Sequence, residues 1–249
     1  MSELKDKIKE IRKRECLSQD EMGRRVGYTN RASVNKIENG NGDVPFDRLM
    51  DIINEYLLEI DDLTNKEVVD FYLRDLAIDD WKELIVVYKD AMCIPFFNSD
   101  NCHGDIFYYS TEERMKKAIS FWLDSTKKGY FTRKVIVDNS NNRAIGTIEY
   151  FVRNNEENYN DTIVLRVDVH HYYEKKKPLV KIMRLAIKEA FSSCVCNSLI
   201  TKGWEYAVER RNALQFLGFK ELNEPLIGHE KENYYNYWKI NNVSFTQKR

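Results

Sequence analysis

The chain has 249 residues, 43% of them hydrophobic and 32% charged, which is enough for one large or two ordinary domains with apolar cores. The formal net charge of −1 argues against a protein that coats nucleic acid, so any contact with DNA must depend on a local surface. The five cysteines lack zinc-type spacing and the four histidines form no HxxxH-type set, so we expect no metal site and a reducing, cytoplasmic location. The sequence shows no signal peptide and no stretch of transmembrane length, so we expect no membrane contact.

The first elements are predicted to be short helices. A helix over residues 4–15 turns Ile8 and Ile11 toward a common apolar side. Ser18 and Glu21 have the S-x-x-E spacing of a capping box, which predicts the start of a second helix.

Two more helices are predicted before residue 61. Asn30 can cap a third helix, which ends at Gly40 and turns Val34 and Ile37 inward. A fourth helix follows Pro45, and its apolar stripe consists of Leu49, Ile52, Ile53 and Tyr56.

Residues 4–63 resemble the XRE family, the lambda-repressor-like and Cro-like helix-turn-helix proteins. The likeness depends on the two helices within residues 18–40, on the Ile37 to Gly40 ending, and on the acidic run from Ile60 to Leu63. It implies an all-α domain that binds double-stranded DNA with its third helix in the major groove. It also implies a homodimer, because one small domain reads too few base pairs for tight specific binding.

The same resemblance implies a set of DNA-contacting residues: Gln19, Asn30, Arg31, Ala32, Ser33, Asn35 and Lys36. Arg31 would pair with guanine, Asn35 with adenine, and Ala32 would meet a thymine methyl group. The other four would contact phosphates, which position the domain without reading sequence.

Residues 61–70 are predicted to be a short polar linker with the boundary near residue 66, so we expect domains at 1–66 and 67–249. The elements predicted after the linker are a strand at 73–77, helices at 81–88 and 113–123, strands at 134–138, 144–151 and 162–170, a helix at 179–191, a strand at 197–203, a helix at 205–217 and a strand at 234–240. This order predicts an α/β domain with a mixed central sheet and helices on both faces.

Residues 72–240 resemble the GNAT acyltransferase superfamily. The motifs that carry the likeness are Arg74-Asp75 with the Asp80 helix, Ile145-Gly146-Thr147-Ile148, the run from Leu165 through the 179–191 helix, and Asn212 to Phe219. The resemblance implies a fold that binds acetyl-CoA or another acyl-CoA between the 162–170 strand and the helix after it. It makes Val167, Val169, Lys175, Lys176 and Lys177 the candidate contacts of that cofactor.

Two features depart from the family pattern. The family binds the CoA pyrophosphate with a Gly-rich loop at a helix N-terminus, where backbone N–H groups face the phosphates. Here Lys177 and Leu179 replace the two closing glycines, and Pro178 removes one donor, so we expect the 172–180 segment not to bind acetyl-CoA in the usual manner. Leu214 stands where members of the family often have a tyrosine that acts as general acid.

Asp168 and Glu149 are the two carboxylates expected to face the cleft. Either could act as general base if burial raised its pKa. The alternative for Asp168 is an ion pair with a nearby basic residue, with His170 and His171 exposed. The alternative for Lys175 to Lys177 is a solvated loop, because runs of charge usually are solvated.

Three functions follow from these patterns. The first is a sequence-specific DNA-binding transcription regulator whose GNAT-like domain senses a small molecule, dimerises or contacts a partner. The second is an active N-acetyltransferase with a DNA-binding or autoregulatory N-terminal domain. The third is a protein-interaction module with neither operator nor substrate. The helix-turn-helix pattern favours the first, and the two departures above weigh against the second.

Overall fold

The computed structural model describes residues 2–14, 17–28, 31–41, 44, 45, 48, 52, 70–154 and 157–242. The chain divides into two compact units, and the division falls between residues 69 and 70. The predicted linker up to residue 69, the boundary near residue 66 and most of the predicted fourth helix lie outside the described residues. The assignment of 1–66 and 67–249 to two domains therefore remains a prediction.

The N-terminal unit contains three described helices: α1 (Ser2–Arg14), α2 (Gln19–Arg25) and α3 (Arg31–Glu38). Ser18 caps α2, since its hydroxyl accepts a hydrogen bond of 3.1 Å from the backbone N–H of Glu21. The buried apolar residues are those of the predicted stripes with a few neighbours: Ile8, Ile11, Leu17, Met22, Val26, Val34, Ile37 and Ile52. The described helices therefore agree with the periodicity of the sequence, while membership of the XRE family stays a prediction.

The C-terminal unit alternates strands and helices. Its elements are β1 (Phe71–Asp75), α4 (Trp81–Tyr88), α5 (Glu112–Lys127), β2 (Thr132–Asp138), β3 (Arg143–Arg153), β4 (Thr162–Val169), α6 (Lys176–Ser193), β5 (Ser198–Lys202), α7 (Val208–Leu217), β6 (Lys220–Glu221), β7 (Leu226–Ile227), β8 (Asn233–Tyr234) and β9 (Tyr237–Asn241).

Seven of these strands form one sheet in the order β1-β2-β3-β4-β5-β9-β6. β4 and β5 are parallel, and the other neighbours in this sheet are antiparallel. Helices α4 and α5 supply the apolar core on one face, and α6 and α7 supply the core on the other. The predicted α/β fold with a mixed central sheet and helices on both faces is confirmed for this unit.

A glycine lets β3 come close to β4 at the point where Asp168 lies. A Cβ atom on Gly146 would lie 2.0 Å from the carbonyl oxygen of Asp168, so only glycine allows this approach. Ile145 is an extra residue here, because Ile136 pairs with Gly146 while Val137 pairs with Ala144. The resulting bulge sharpens the local bend of β3, and bulges of this kind are common next to active sites.

Several predicted boundaries were wrong. Helix α5 begins at Glu112, one residue before the predicted start, and is capped by Thr111, whose hydroxyl accepts a hydrogen bond from the backbone N–H of Arg114. The strand predicted at 234–240 is two strands, because Asn236 has a φ of 67° and turns the chain between β8 and β9. The first strand begins at Phe71, two residues before the predicted start, where it pairs with the end of β2.

Candidate active site

The parallel pairing of β4 with β5 ends before β4 does. Thr162 to Leu165 pair with Ser198 to Thr201, and β4 then continues to Val169 along β3 alone. One edge of β4 is therefore open to other partners over its last four residues. Such a gap between two parallel strands places backbone groups and side chains at the rim of a cleft.

A row of charged side chains crosses the three strands next to this gap. Arg133 on β2, Glu149 on β3 and Arg166 on β4 are cross-strand partners and are almost fully buried. Arg133 donates to Glu149 Oε2 from Nη2 at 2.6 Å, and Arg166 Nη1 donates to Oε1 at 2.5 Å. Burial alone would raise the pKa of Glu149, but the two guanidinium groups outweigh it and lower that pKa. Glu149 is thus held as a carboxylate with both oxygens engaged.

Asp168 lies two residue pairs further along β3 and β4, on the same face of the sheet and opposite Thr147. Tyr88 donates a hydrogen bond of 3.0 Å to Asp168 Oδ2, and Arg133 Nη1 lies 3.6 Å from the same oxygen. The other oxygen, Oδ1, is buried and has no hydrogen-bond partner. Burial raises the pKa of Asp168 in spite of the nearby guanidinium. A carboxylate of this kind can accept a proton, which Glu149 in its double ion pair cannot readily do.

A second polar group fixes the irregular segment between α4 and α5. Lys202 Nζ donates to Asp100 Oδ2 at 2.5 Å, and the hydroxyl of Tyr237 donates to the same oxygen at 3.0 Å. The backbone carbonyl of Asp100 accepts from Arg166 Nη2 at 2.6 Å. Burial lowers the pKa of Lys202 although Asp100 favours its charged form. Hydrogen bonds of Asp100 therefore join this segment to β4, β5 and β9.

A cavity of about 620 Å³ opens between this segment, α5, the C-terminal part of β3 and the middle of β4. Glu149 and Arg166 contribute to its wall, together with a majority of apolar and aromatic groups. The full lining is Asn101, Cys102, His103, Asp105, Phe107, Tyr109, Arg114, Ala118, Phe121, Trp122, Tyr130, Phe131, Glu149, Phe151, Arg153, Arg166 and His229. A volume of this size suits a small molecule or a side chain of a larger substrate.

The predicted phosphate-binding segment forms the start of α6. The backbone N–H of Lys176 donates to Glu209 Oε2 at 2.7 Å, and that of Leu179 donates to the carbonyl of Lys175 at 3.0 Å. Pro178 has no N–H group. Three of the first four positions of the helix therefore offer no donor to a ligand, and a carboxylate already lies where a phosphate would bind. As it stands, this turn does not fit the pyrophosphate of CoA in the manner of a glycine-rich loop.

The open edge of β4 is also partly occupied. Arg210 on α7 donates from Nη2 to the carbonyl of Val167 at 3.0 Å and forms two hydrogen bonds of 2.6 and 2.7 Å with Glu174. Val167 and Val169 turn their side chains into the core beneath α6. Leu214 is fully buried in the same core and offers no proton donor. The predicted cofactor contacts at Val167 and Val169 would thus be made through the backbone.

The sequence patterns did not identify several residues of this site. Arg133, Tyr88, Asp100 and Lys202 were not singled out, although Lys202 is the one charged residue of the strand predicted at 197–203, which is a usable signal. Asp168 pairs with a basic residue as its alternative interpretation proposed, but its second oxygen has no partner.

The predicted DNA contacts lie on or beside the described helices of the N-terminal unit, except Asn30 and the side chain of Arg31, which lie outside the description. Ala32 and Lys36 are exposed. Gln19 donates to Glu38 at 2.9 Å, and Asn35 accepts from Asn39 at 2.9 Å. The side chains of Gln19 and Asn35 therefore form hydrogen bonds with other side chains of the same unit.

No family model and no curated protein matches the chain. Solved structures that resemble it include RimJ of Mycobacterium smegmatis in complex with CoA-disulfide, with a TM-score of 0.56, 11% identity, and 71% of this chain and 87% of that chain covered. Spermidine N-acetyltransferase from Vibrio cholerae with CoA and spermine has a TM-score of 0.53, 11% identity, and 71% and 98% coverage. A GNAT-family acetyltransferase from Bacillus anthracis has a TM-score of 0.51, 12% identity, and 69% and 95% coverage. At these identities the likeness establishes a GNAT-like fold and nothing finer.

The prediction of a sequence-specific DNA-binding transcription regulator is wrong. The fold of the similar structures is that of acetyltransferases and covers 69–71% of this chain, which favours the alternative interpretation instead. The missing loop glycines and tyrosine affect contact with the cofactor and do not decide the fold, so they are weak evidence against an acetyltransferase. No match supports the XRE assignment. That assignment, the DNA contacts and the homodimer therefore remain predictions.

Within the described residues, no helix is long and apolar enough to cross a membrane.

Proposed function

We propose that the C-terminal unit is an N-acyltransferase that transfers an acyl group to an amine held in the cavity. The observation that carries the proposal is Asp168, a buried carboxylate with a raised pKa and one oxygen without a partner. It lies on the part of β4 that continues beyond the pairing with β5, two residue pairs from Glu149 and Arg166, which line the cavity. The GNAT-like fold of the unit is consistent with this chemistry, although fold alone does not decide function.

The residues around Asp168 give it a defined role. A protonated amine must lose a proton before its lone pair can attack the acyl carbon, and Asp168 Oδ1 is the proton acceptor. The C–N bond forms as the thioester C–S bond breaks, and CoA leaves as the thiolate. The hydrogen bond from Tyr88 to Oδ2 prevents the carboxylate of Asp168 from rotating, so the orientation of Oδ1 is fixed. Arg133 stabilises the charge of the Asp168 carboxylate from a distance of 3.6 Å and forms no hydrogen bond with it. The carboxylate therefore remains able to accept a proton.

The cavity holds the acceptor in this proposal. Its aromatic lining includes Phe107, Trp122 and Phe131, which exclude water from an apolar substrate. The guanidinium of Arg133 lies over the ring of Trp122 at 4.0 Å and that of Arg114 over Tyr109 at 4.5 Å. Several ring faces near the cavity are therefore already covered by cations of the chain.

Acetyl-CoA is the proposed acyl donor, because solved structures of this fold contain CoA. The first turn of α6 does not fit its pyrophosphate while Glu209 bonds to Lys176. Glu209 is exposed, so its side chain can leave that position. Lys175, Lys176 and Lys177 would then attract the phosphates by charge, with fewer backbone donors than a glycine-rich loop supplies.

The test is an acyl-transfer assay on the full-length protein. Acetyl-CoA is offered with a panel of amines that contains a polyamine, an aminoglycoside, amino acids and short peptides, and the release of free thiol is measured. We expect turnover with at least one class, and a loss of about 10²–10⁴-fold in Asp168→Asn. Asp124→Asn, an exposed aspartate on α5 paired with Lys128, is the control and should keep full activity. Absence of turnover with every class, or full activity of Asp168→Asn, would overturn the proposal.

A further inference from the structure

Three side chains that can bind a metal ion meet where β4 ends. His171 Nδ1 lies 2.6 Å from Asp90 Oδ2, and His170 Nε2 lies 3.5 Å from the same oxygen. One ligand atom from each residue lies within 4.8 Å of the other two. Asp90 follows α4 and is distant in sequence, so the spacing of the histidines alone does not reveal the cluster.

Neighbouring groups hold these side chains in position. The backbone N–H of Met92 donates to Asp90 Oδ1 at 2.9 Å, which leaves Oδ2 facing the rings. The backbone N–H of His171 donates to the sulfur of Cys93 at 3.2 Å. The ring of Tyr172 packs against both imidazoles, with centroids 4.8 and 4.2 Å away. These contacts already fix the three side chains without an ion, so metal binding would cost little conformational entropy.

The donor set selects the class of ion. Two imidazole nitrogens and one carboxylate oxygen suit zinc and similar divalent transition metals, whereas calcium and magnesium prefer oxygen ligands alone. The three side chains are 14–23% exposed, so an ion from solution can reach them. Three protein ligands leave a fourth position for water or another small ligand.

We propose that Asp90, His170 and His171 bind one divalent transition-metal ion, with zinc as the representative ion. The site is independent of acyl transfer and does not rest on the function proposed above. It contradicts the expectation from the sequence that the chain has no metal site.

Binding requires a small adjustment. Two ligands of one tetrahedral zinc lie roughly 3.4 Å apart, given metal–ligand distances of about 2.1 Å. The Asp90–His171 pair would open by less than about 1 Å from its present hydrogen-bond distance. The contact of 3.4 Å between the backbone nitrogen of Tyr172 and His170 Nδ1 would be lost, because Nδ1 carries the proton when Nε2 binds the metal.

The test uses Co²⁺ as a spectroscopic substitute for zinc on the full-length protein, with its thiols kept reduced. We expect one equivalent of Co²⁺ to bind with visible bands of nitrogen and oxygen ligation, and Zn²⁺ to displace it. Asp90→Asn and His171→Ala should each weaken binding roughly tenfold or more. His103→Gln, an exposed histidine outside the cluster, should bind as the wild type does.

Asp90→Asn and His171→Ala each test the site, so the experiment remains decisive if one of these variants fails to fold. Absence of binding would overturn the proposal, as would unchanged affinity in both Asp90→Asn and His171→Ala. Sulfur-to-cobalt charge-transfer bands would also overturn it, because they would place the metal on cysteines. Retention of binding in the control, together with loss in the cluster variants, would support it.

Discussion

Oε2 of Glu209 lies 2.7 Å from the backbone nitrogen of Lys176, so the carboxylate of α7 closes the first turn of α6. A carboxylate at a helix N-terminus is stabilised by the same N–H groups and dipole that would stabilise a phosphate. The two ligands therefore compete for one position. This contact makes Glu209 the residue whose removal most directly tests the proposed binding of CoA.

We expect Glu209→Ala to tighten the binding of CoA by about three- to tenfold, on the order of 1 kcal/mol, because a hydrogen bond to a charged group and its repulsion of phosphate are both removed. Titration calorimetry at low salt measures the change. Glu205→Ala removes an equal charge from the loop before α7 and serves as the control for charge alone. Equal effects of the two substitutions would show that the Lys176 contact has no special role.

The three lysines at 175–177 should supply most of the attraction for the phosphates of CoA. Changing all three to glutamine should weaken CoA binding and reduce its dependence on salt, because fewer charges remain to be screened. Binding is measured at two salt concentrations. The matched control changes Lys116, Lys117 and Lys127 of α5, which lie on a different helix. If the α5 variant lost as much affinity for CoA as the 175–177 variant, the effect would come from the overall charge of the protein and not from a local contact with the phosphates.

The rate of acyl transfer should fall as the pH is lowered through the pKa of Asp168, since the proton acceptor must be ionised. Burial raises that pKa, so the fall should occur at higher pH than for an ordinary aspartate, whose pKa is 3.8. A profile of kcat/KM against pH measures this. Tyr88→Phe removes the hydroxyl that donates to Oδ2 and should move the midpoint further up, because a bond to the ionised form is lost. A profile that is identical in both proteins would argue against Asp168 as the base.

Glu149→Gln should destabilise the C-terminal unit by about 3–5 kcal/mol, because two buried guanidinium groups lose their shared counter-ion. Urea unfolding at neutral pH measures the loss. Glu112→Gln, an exposed glutamate paired with Lys116, should change stability by less than about 0.5 kcal/mol.

The same ion pair predicts how stability depends on pH. The pKa of Glu149 is lower in the folded chain than in the unfolded chain. Its contribution is therefore complete above the unfolded pKa and is lost as the pH falls toward the folded pKa. Stability of the Glu149→Gln variant should consequently fall less than that of the wild type over this acidic range. A parallel decline in both proteins would contradict the assignment.

Local patterns in the sequence were enough for most elements of the fold. The spacing of Ile8 with Ile11 and of Val34 with Ile37 predicted helices, since residues three and four apart share one face of a helix. The stripe along α6 and the apolar runs of β2, β3 and β4 were likewise apparent. Boundaries failed where one residue decided them, as at Thr111 and Asn236.

The sequence also pointed to Asp168 and Glu149 as carboxylates of the cleft, but it could not tell them apart. Both lie in apolar strands and both alternate toward the same face. Only the register of three strands puts Arg133 and Arg166 on either side of Glu149, and only that register leaves one oxygen of Asp168 without a partner.

Patterns of neighbouring residues thus determined which segments form helices and strands, because those depend on contacts over a few positions. The tertiary structure alone decided the chemistry of the site. The contact of Glu209 with Lys176, the contact of Arg210 with Val167, and the meeting of Asp90 with His171 each join segments that are far apart in the chain. A carboxylate takes its pKa and its availability from such neighbours, since burial and nearby charges act through space and not along the sequence.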